Sequence, residues 1–153
     1  GTKDTSIRPN QIFAAAMPRS PLTRKLAKSV IDVVADRLLT DVGLKTLPDD
    51  DPNYHPFYHG DGFQRDQAYH QGTIWPWLIG GYAEALMRHG KFSPGSRRRA
   101  LETIQPLLNR MLGEGLGQLH EIHEAQTLHP VGSIAQAWSV SEVLRIYALA
   151  RAE

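Results

Sequence analysis

Arg65–Trp77 reads RDQAYHQGTIWPW, and the fold turns on what happens on either side of it. Upstream, from Lys45 to Thr73, hydrophobic periodicity is absent and Pro, Gly and Asp recur. Downstream, Trp75, Leu78, Ile79, Tyr82 and Leu86 fall on one helical face that runs to about Arg88, with Gly90 as its stop. The segment is therefore a junction between a long loop and a helix. Structureless loops beyond about 12–15 residues tend to be functional or disordered. Tyr54, Phe57, Tyr58, Phe63 and Tyr69 supply aromatic surface that argues for order.

The rest of the chain reads as helices. A short helix spans Gln11 to Met17 after Pro9 and ends at Pro18. Ser20 and Pro21 predict the start of a longer one, with Leu22, Leu26, Val30, Val34 and Leu38 inward, Ala27 and Ile31 widening that stripe, and Gly43 as a left-handed cap. Ser93-Pro94 opens a helix through Met111, with a kink expected at Pro106. A second loop covers Leu119 to Gly132. Ser133 is expected to cap a last helix, Ile134 to Arg151, with Ile134, Trp138, Leu144 and Tyr147 mostly inward. No alternating strand pattern stands out. The expected fold class is all-α: antiparallel helical hairpins with long functional loops gathered at one end, as in a toroid or a bundle.

Composition narrows the function. The chain has 153 residues, enough for one domain with a core. Lys plus Arg (17) nearly balance Asp plus Glu (16), which gives no electrostatic case for nucleic acid or a membrane surface. There are no cysteines, so disulfides and thiolate metal sites are excluded. No apolar run reaches the length of a membrane span. The N-terminus has no signal-peptide core and no initiator Met; Gly1 reads as a cloning scar, or the chain as a segment of something longer.

Two clusters carry chemistry. In the junction, Arg65, Asp66, His70 and Gln71 accompany Tyr69, Trp75 and Trp77. Sugars suit this mixture, because aromatic faces cover the C–H faces of a pyranose while amides, carboxylates and guanidinium groups bond its hydroxyls. The bland reading makes Trp75 and Trp77 core residues at a helix start. In the second loop, His120-Glu121-Ile122-His123-Glu124 lacks zinc-protease spacing. Glu121 or Glu124 could serve as a general base on water, or both could be solvated charges. Gln136 and Trp138 follow closely, and Trp138 is a candidate site floor.

These residues also carry a resemblance. Arg8-Pro9-Asn10-Gln11, Gly43 to Leu47, Asp51-Pro52-x-Tyr54, the block Arg65 to Gly80 containing HQGTIWPW, and Gln136 to Arg145 occur in an order that resembles the C-terminal region of the glycogen debranching enzyme's amylo-α-1,6-glucosidase domain. The resemblance implies that residues 1–153 are one domain, the C-terminal fragment of an (α/α)6 toroid. It implies inverting hydrolysis of α-1,6-linked glucose at branch points of an α-glucan, without a cofactor or metal, in the cytoplasm. It makes Glu121, in Glu121-Ile122, the general base; the general-acid Asp would lie upstream of the RPNQ block. Asp66, His70, Gln71, Trp75, Arg65, Gln136 and Trp138 become the substrate-binding candidates. Ala125 and Ser133 depart from the family pattern, which has Gly and commonly Cys there. An incomplete ring would leave apolar faces open, and a homodimer through them is expected. The rival readings are a non-catalytic carbohydrate-binding module and a helical interaction module whose aromatics are core.

Overall fold

A computed structural model describes residues 4–152, so Gly1 lies outside the described residues. About half of the chain is helical: α1 (Gln11–Ala16), α2 (Arg24–Arg37), α3 (Gly62–Tyr69), α4 (Leu78–His89), α5 (Pro94–Gly113) and α6 (Ala137–Arg151). Five short strands accompany them: β1 (Leu39–Thr40), β2 (Gly43–Lys45), β3 (Ile74–Trp75), β4 (Ile122–His123) and β5 (Pro130–Val131). They form one antiparallel sheet in the order β1-β2-β3-β4-β5. The expectation of an all-α fold is corrected by this sheet. Strands of two or three residues are too short to show a period of two, so no alternation could reveal them.

Helix α4 is the hub. It packs against α1, α2, α5 and α6. Ile79, Ala83 and Met87 join a core with Ala100, Ile104 and Leu107 of α5 and Val143 and Ile146 of α6. Leu78, Tyr82 and Leu86 join a second core with Ile12 of α1 and Ile31 and Val34 of α2. Two glycines let the neighbours in. A Cβ on Gly80 would meet Oε2 of Glu142 at 2.0 Å, and one on Gly81 would meet the Phe13 ring at 2.8 Å.

Local chemistry shifts several helix boundaries from their expected places. The N-cap of α2 is Thr23, whose hydroxyl accepts from the Leu26 N–H at 3.3 Å. Ser20 instead ties a turn, donating to the Ala14 carbonyl at 2.6 Å. The buried stripe of α2 is Ala27, Ile31 and Val34, continued by Leu38, while Leu26 is exposed. Gly43 caps no helix. It sits in the β1–β2 hairpin at φ +138°, where a Cβ would meet the Trp75 carbonyl at 2.5 Å. Trp75 belongs to β3 and not to a helix, and α4 starts at Leu78. α5 runs through Pro106 as one helix, and its N-cap is Ser93 as expected.

The long loop is also less irregular than its sequence. It contains α3, closed by a reciprocal cap in which Asp61 accepts from the Gln64 N–H at 2.9 Å and the Gln64 side chain accepts from the Asp61 N–H at 3.0 Å. In α6 the inward positions are Ser139, Val143, Ile146 and Ala150. Ile134, Trp138, Leu144 and Tyr147, expected inward, are exposed. The small Ser139 and Ala150 face the neighbours, and Arg97 of α5 reaches across to the Leu149 carbonyl at 2.8 Å.

Candidate active site

The sheet brings the two loops together. Ile74 of β3 pairs with His123 of β4, which sets the junction segment beside the glutamate loop. Tyr69 ends α3, and its carbonyl accepts from the Trp75 indole N–H at 2.9 Å and from the Thr73 hydroxyl at 2.8 Å. These bonds fold the chain back between α3 and β3.

His70 then stacks on Trp75, with ring centroids 5.0 Å apart and planes 17° from parallel. Trp75 meets Trp138 edge-on at 5.9 Å. Trp138 stacks on Trp77 at 5.2 Å, and Phe13 stacks on Trp77 at 5.5 Å. The result is an aromatic wall to a cleft of about 360 Å³, lined by Asn10, Thr46, His70, Trp75, Trp77 and Trp138 among others. Trp138 remains 46% exposed, so it offers surface to a ligand and is not core.

Glu121 lies one side chain away from this lining. Its Oε1 accepts from the Tyr69 hydroxyl and from Nε2 of Gln136 at 3.4 Å, and its Oε2 accepts from the Ser133 N–H at 3.0 Å. Tyr69 in turn packs on His70 at 4.7 Å and Trp75 at 4.9 Å. Gly132, at φ +72°, makes room, since a Cβ there would meet Oε2 of Glu121 at 2.6 Å. Glu124 faces elsewhere and accepts from the Thr127 hydroxyl of its own turn at 2.9 Å. Ser133, the sequence's candidate cap for α6, gives its N–H to Glu121 instead, and Gln136 holds the N-cap position.

Arg8 pins the opposite side. Its guanidinium donates to the carbonyls of His70 at 2.6 Å and Thr46 at 3.2 Å, and to Oε1 of Gln71 at 2.6 Å. That bond leaves the Gln71 amide with its NH2 available. Burial, and then the Arg8 charge, hold the His70 imidazole below its usual range, against an opposing pull from Glu121. His70 is therefore neutral near pH 7, able to donate from one nitrogen and accept at the other.

Six of the eight candidate residues thus share one neighbourhood: Glu121, Gln136, His70, Gln71, Trp75 and Trp138. Arg65 and Asp66 stand exposed on α3, and neither makes a side-chain hydrogen bond or ion pair among the described residues. Reading the sequence for binding residues missed the parts played by Arg8, Tyr69 and Gly132. Tyr69 carried a signal, as an aromatic with a hydroxyl next to His70-Gln71. Gly132 carried none, because its role depends on the packing of Glu121. Among the described residues no group of three or more His, Asp or Glu side chains could hold a metal, and no helix is long and apolar enough to cross a membrane.

Residues 1–145 match the amylo-alpha-1,6-glucosidase family, and the chain belongs to it. Over 119 residues it is 34% identical to the glycogen debranching enzyme of Saccharomyces cerevisiae. That stretch is 72% of this chain and 8% of the yeast protein, so the chain spans a small part of the relative's length.

Proposed function

We infer that this chain forms part of a glycoside hydrolase that releases α-1,6-linked glucose at the branch points of an α-glucan. The observation that carries this reading is the Glu121 carboxyl, held by three donors beside an aromatic cleft. In this reading Glu121 is the general base. It takes a proton from water, the water oxygen bonds to the anomeric carbon from one side, and the bond to the glucan's 6-oxygen breaks on the other. The configuration inverts. The leaving oxygen takes its proton from an acid that the family resemblance puts upstream of Arg8-Pro9-Asn10-Gln11. An inverting pair stands roughly 6.5–9.5 Å apart, with the water between.

Trp75 and Trp138 suit the C–H faces of the glucose ring, while His70, Gln71 and Gln136 suit its hydroxyls. Arg65 and Asp66 would act only at the outer edge, on more distant parts of the glucan. The fold belongs, in this reading, to the C-terminal part of an (α/α)6 ring, and the location is cytoplasmic. The isolated chain, without the acid, is inactive.

The test is Glu121→Gln in the protein expressed from the native open reading frame. Release of glucose from a branched dextrin should fall by about 10²–10⁴-fold with folding intact. Unchanged turnover with retained glucan binding would favour a non-catalytic carbohydrate-binding module instead.

A further inference from the structure

The two oxygens of the Glu121 carboxylate offer about four lone-pair positions. Three are taken by Tyr69, Gln136 and Ser133. The three donors differ in stiffness. The Ser133 N–H is backbone, fixed by the reciprocal bond from the Glu121 N–H to the Ser133 carbonyl at 2.9 Å. Gln136 donates through a flexible amide across 3.4 Å. The Tyr69 hydroxyl sits on a rigid ring wedged among Tyr58 at 5.6 Å, His70 at 4.7 Å and Trp75 at 4.9 Å. Its backbone is held as well, because its carbonyl takes both the Trp75 and Thr73 side-chain bonds.

A base on water needs one lone pair open and aimed in one direction. The Ser133 N–H holds Oε2, but a single anchor still lets Oε1 swing about it. A second rigid donor on Oε1 removes that freedom. We propose that Tyr69 is the positioning residue for Glu121: its hydroxyl fixes the carboxyl's orientation and leaves one lone pair for the attacking water.

The inference rests on the assignment of Glu121 as base. Tyr69 neither gains nor loses a proton in the reaction; the water's proton goes to the open lone pair of Glu121. Burial, followed by the bond and charge of Glu121, pushes the phenol's ionisation well above its ordinary value. Tyr69 therefore stays a donor throughout the neutral range. A phenylalanine would keep the ring packing and remove only the bond.

The experiment has two parts. In the protein from the native open reading frame, Tyr69→Phe should lower kcat for a branched dextrin by about 10–100-fold, the scale of a misaimed reacting group, with KM little changed. In this chain alone, proton NMR should show a slowly exchanging phenolic proton that is missing in Tyr69→Phe and moved upfield in Glu121→Gln, whose neutral amide oxygen accepts more weakly than a carboxylate. Absence of that proton from the wild-type chain overturns the inference without any variant having to fold. Full kcat in Tyr69→Phe, with Glu121→Gln inactive, overturns it while the base assignment stands. A rise in KM matching the loss in kcat, with a lower melting temperature, means a merely structural tyrosine and also overturns it. If Glu121→Gln still turns over, the base assignment fails and this inference fails with it.

Discussion

His123 follows Glu121 by two positions and shows how one side chain ties this site's region to pH. It is buried, and its Nδ1 bonds the Leu128 carbonyl at 3.0 Å. Burial pushes its pKa from 6.5 down to about 4, although the Leu128 bond pulls the other way. The folded state therefore resists protonation that the unfolded chain accepts. Stability is complete above pH 6.5 and is lost as pH falls toward 4, by on the order of 3 kcal/mol in the limit. Urea midpoints between pH 7.5 and 4.5 should fall in that window, and His123→Gln should flatten the slope. An unchanged slope in the variant would assign the loss to other groups. The same residue scale explains why Glu121 and Glu124 were indistinguishable in the sequence. Both are glutamates in one loop, and only the strand direction turns Glu121 toward Tyr69 and Glu124 toward Thr127.

At the scale of elements, α3 is the piece whose stability bears most directly on the site, because Tyr69 is its last residue. Most of its residues are exposed and only Ala68 is buried, so packing holds it weakly. Its cap must hold a large share. Asp61→Ala should cost about 1 kcal/mol locally, which speeds amide exchange in 62–69 by roughly fivefold. Exchange unchanged in that segment would show that the loop, not the cap, holds α3. The cap was readable as Asp61-x-x-Gln64 but hidden among the glycines and histidines around it. The long amphipathic helices were legible because many buried side chains repeat at helical spacing. Their ends were not, since Thr23 and Ser20 have the same cap chemistry and only tertiary packing chooses between them.

At the scale of the molecule, the helices were the legible part, the clustering of Glu121 with Trp75 and Trp138 was legible through the family resemblance, and the sheet was not legible at all. Exposed apolar side chains mark the surface: Leu144 at 48% and Ile134 at 76% in and before α6, and Leu116 at 92% after α5. Where such side chains join into one patch they favour association. We propose that the isolated chain dimerises through them, so light scattering should give a mass that rises with concentration. A monomer at every concentration would overturn that proposal.

The small sheet has a consequence in time. Its pairs join Leu44 to Trp75 and Ile74 to His123, partners far apart along the chain. Such closures are slow, because the chain's loop entropy must be met before any contact rewards it. The helices rest on local bonds and form early. The neighbourhood of Glu121 needs β3, β4 and β5 in register at once, so amide protection at Trp75 and His123 is expected to arise after that of the helices during refolding.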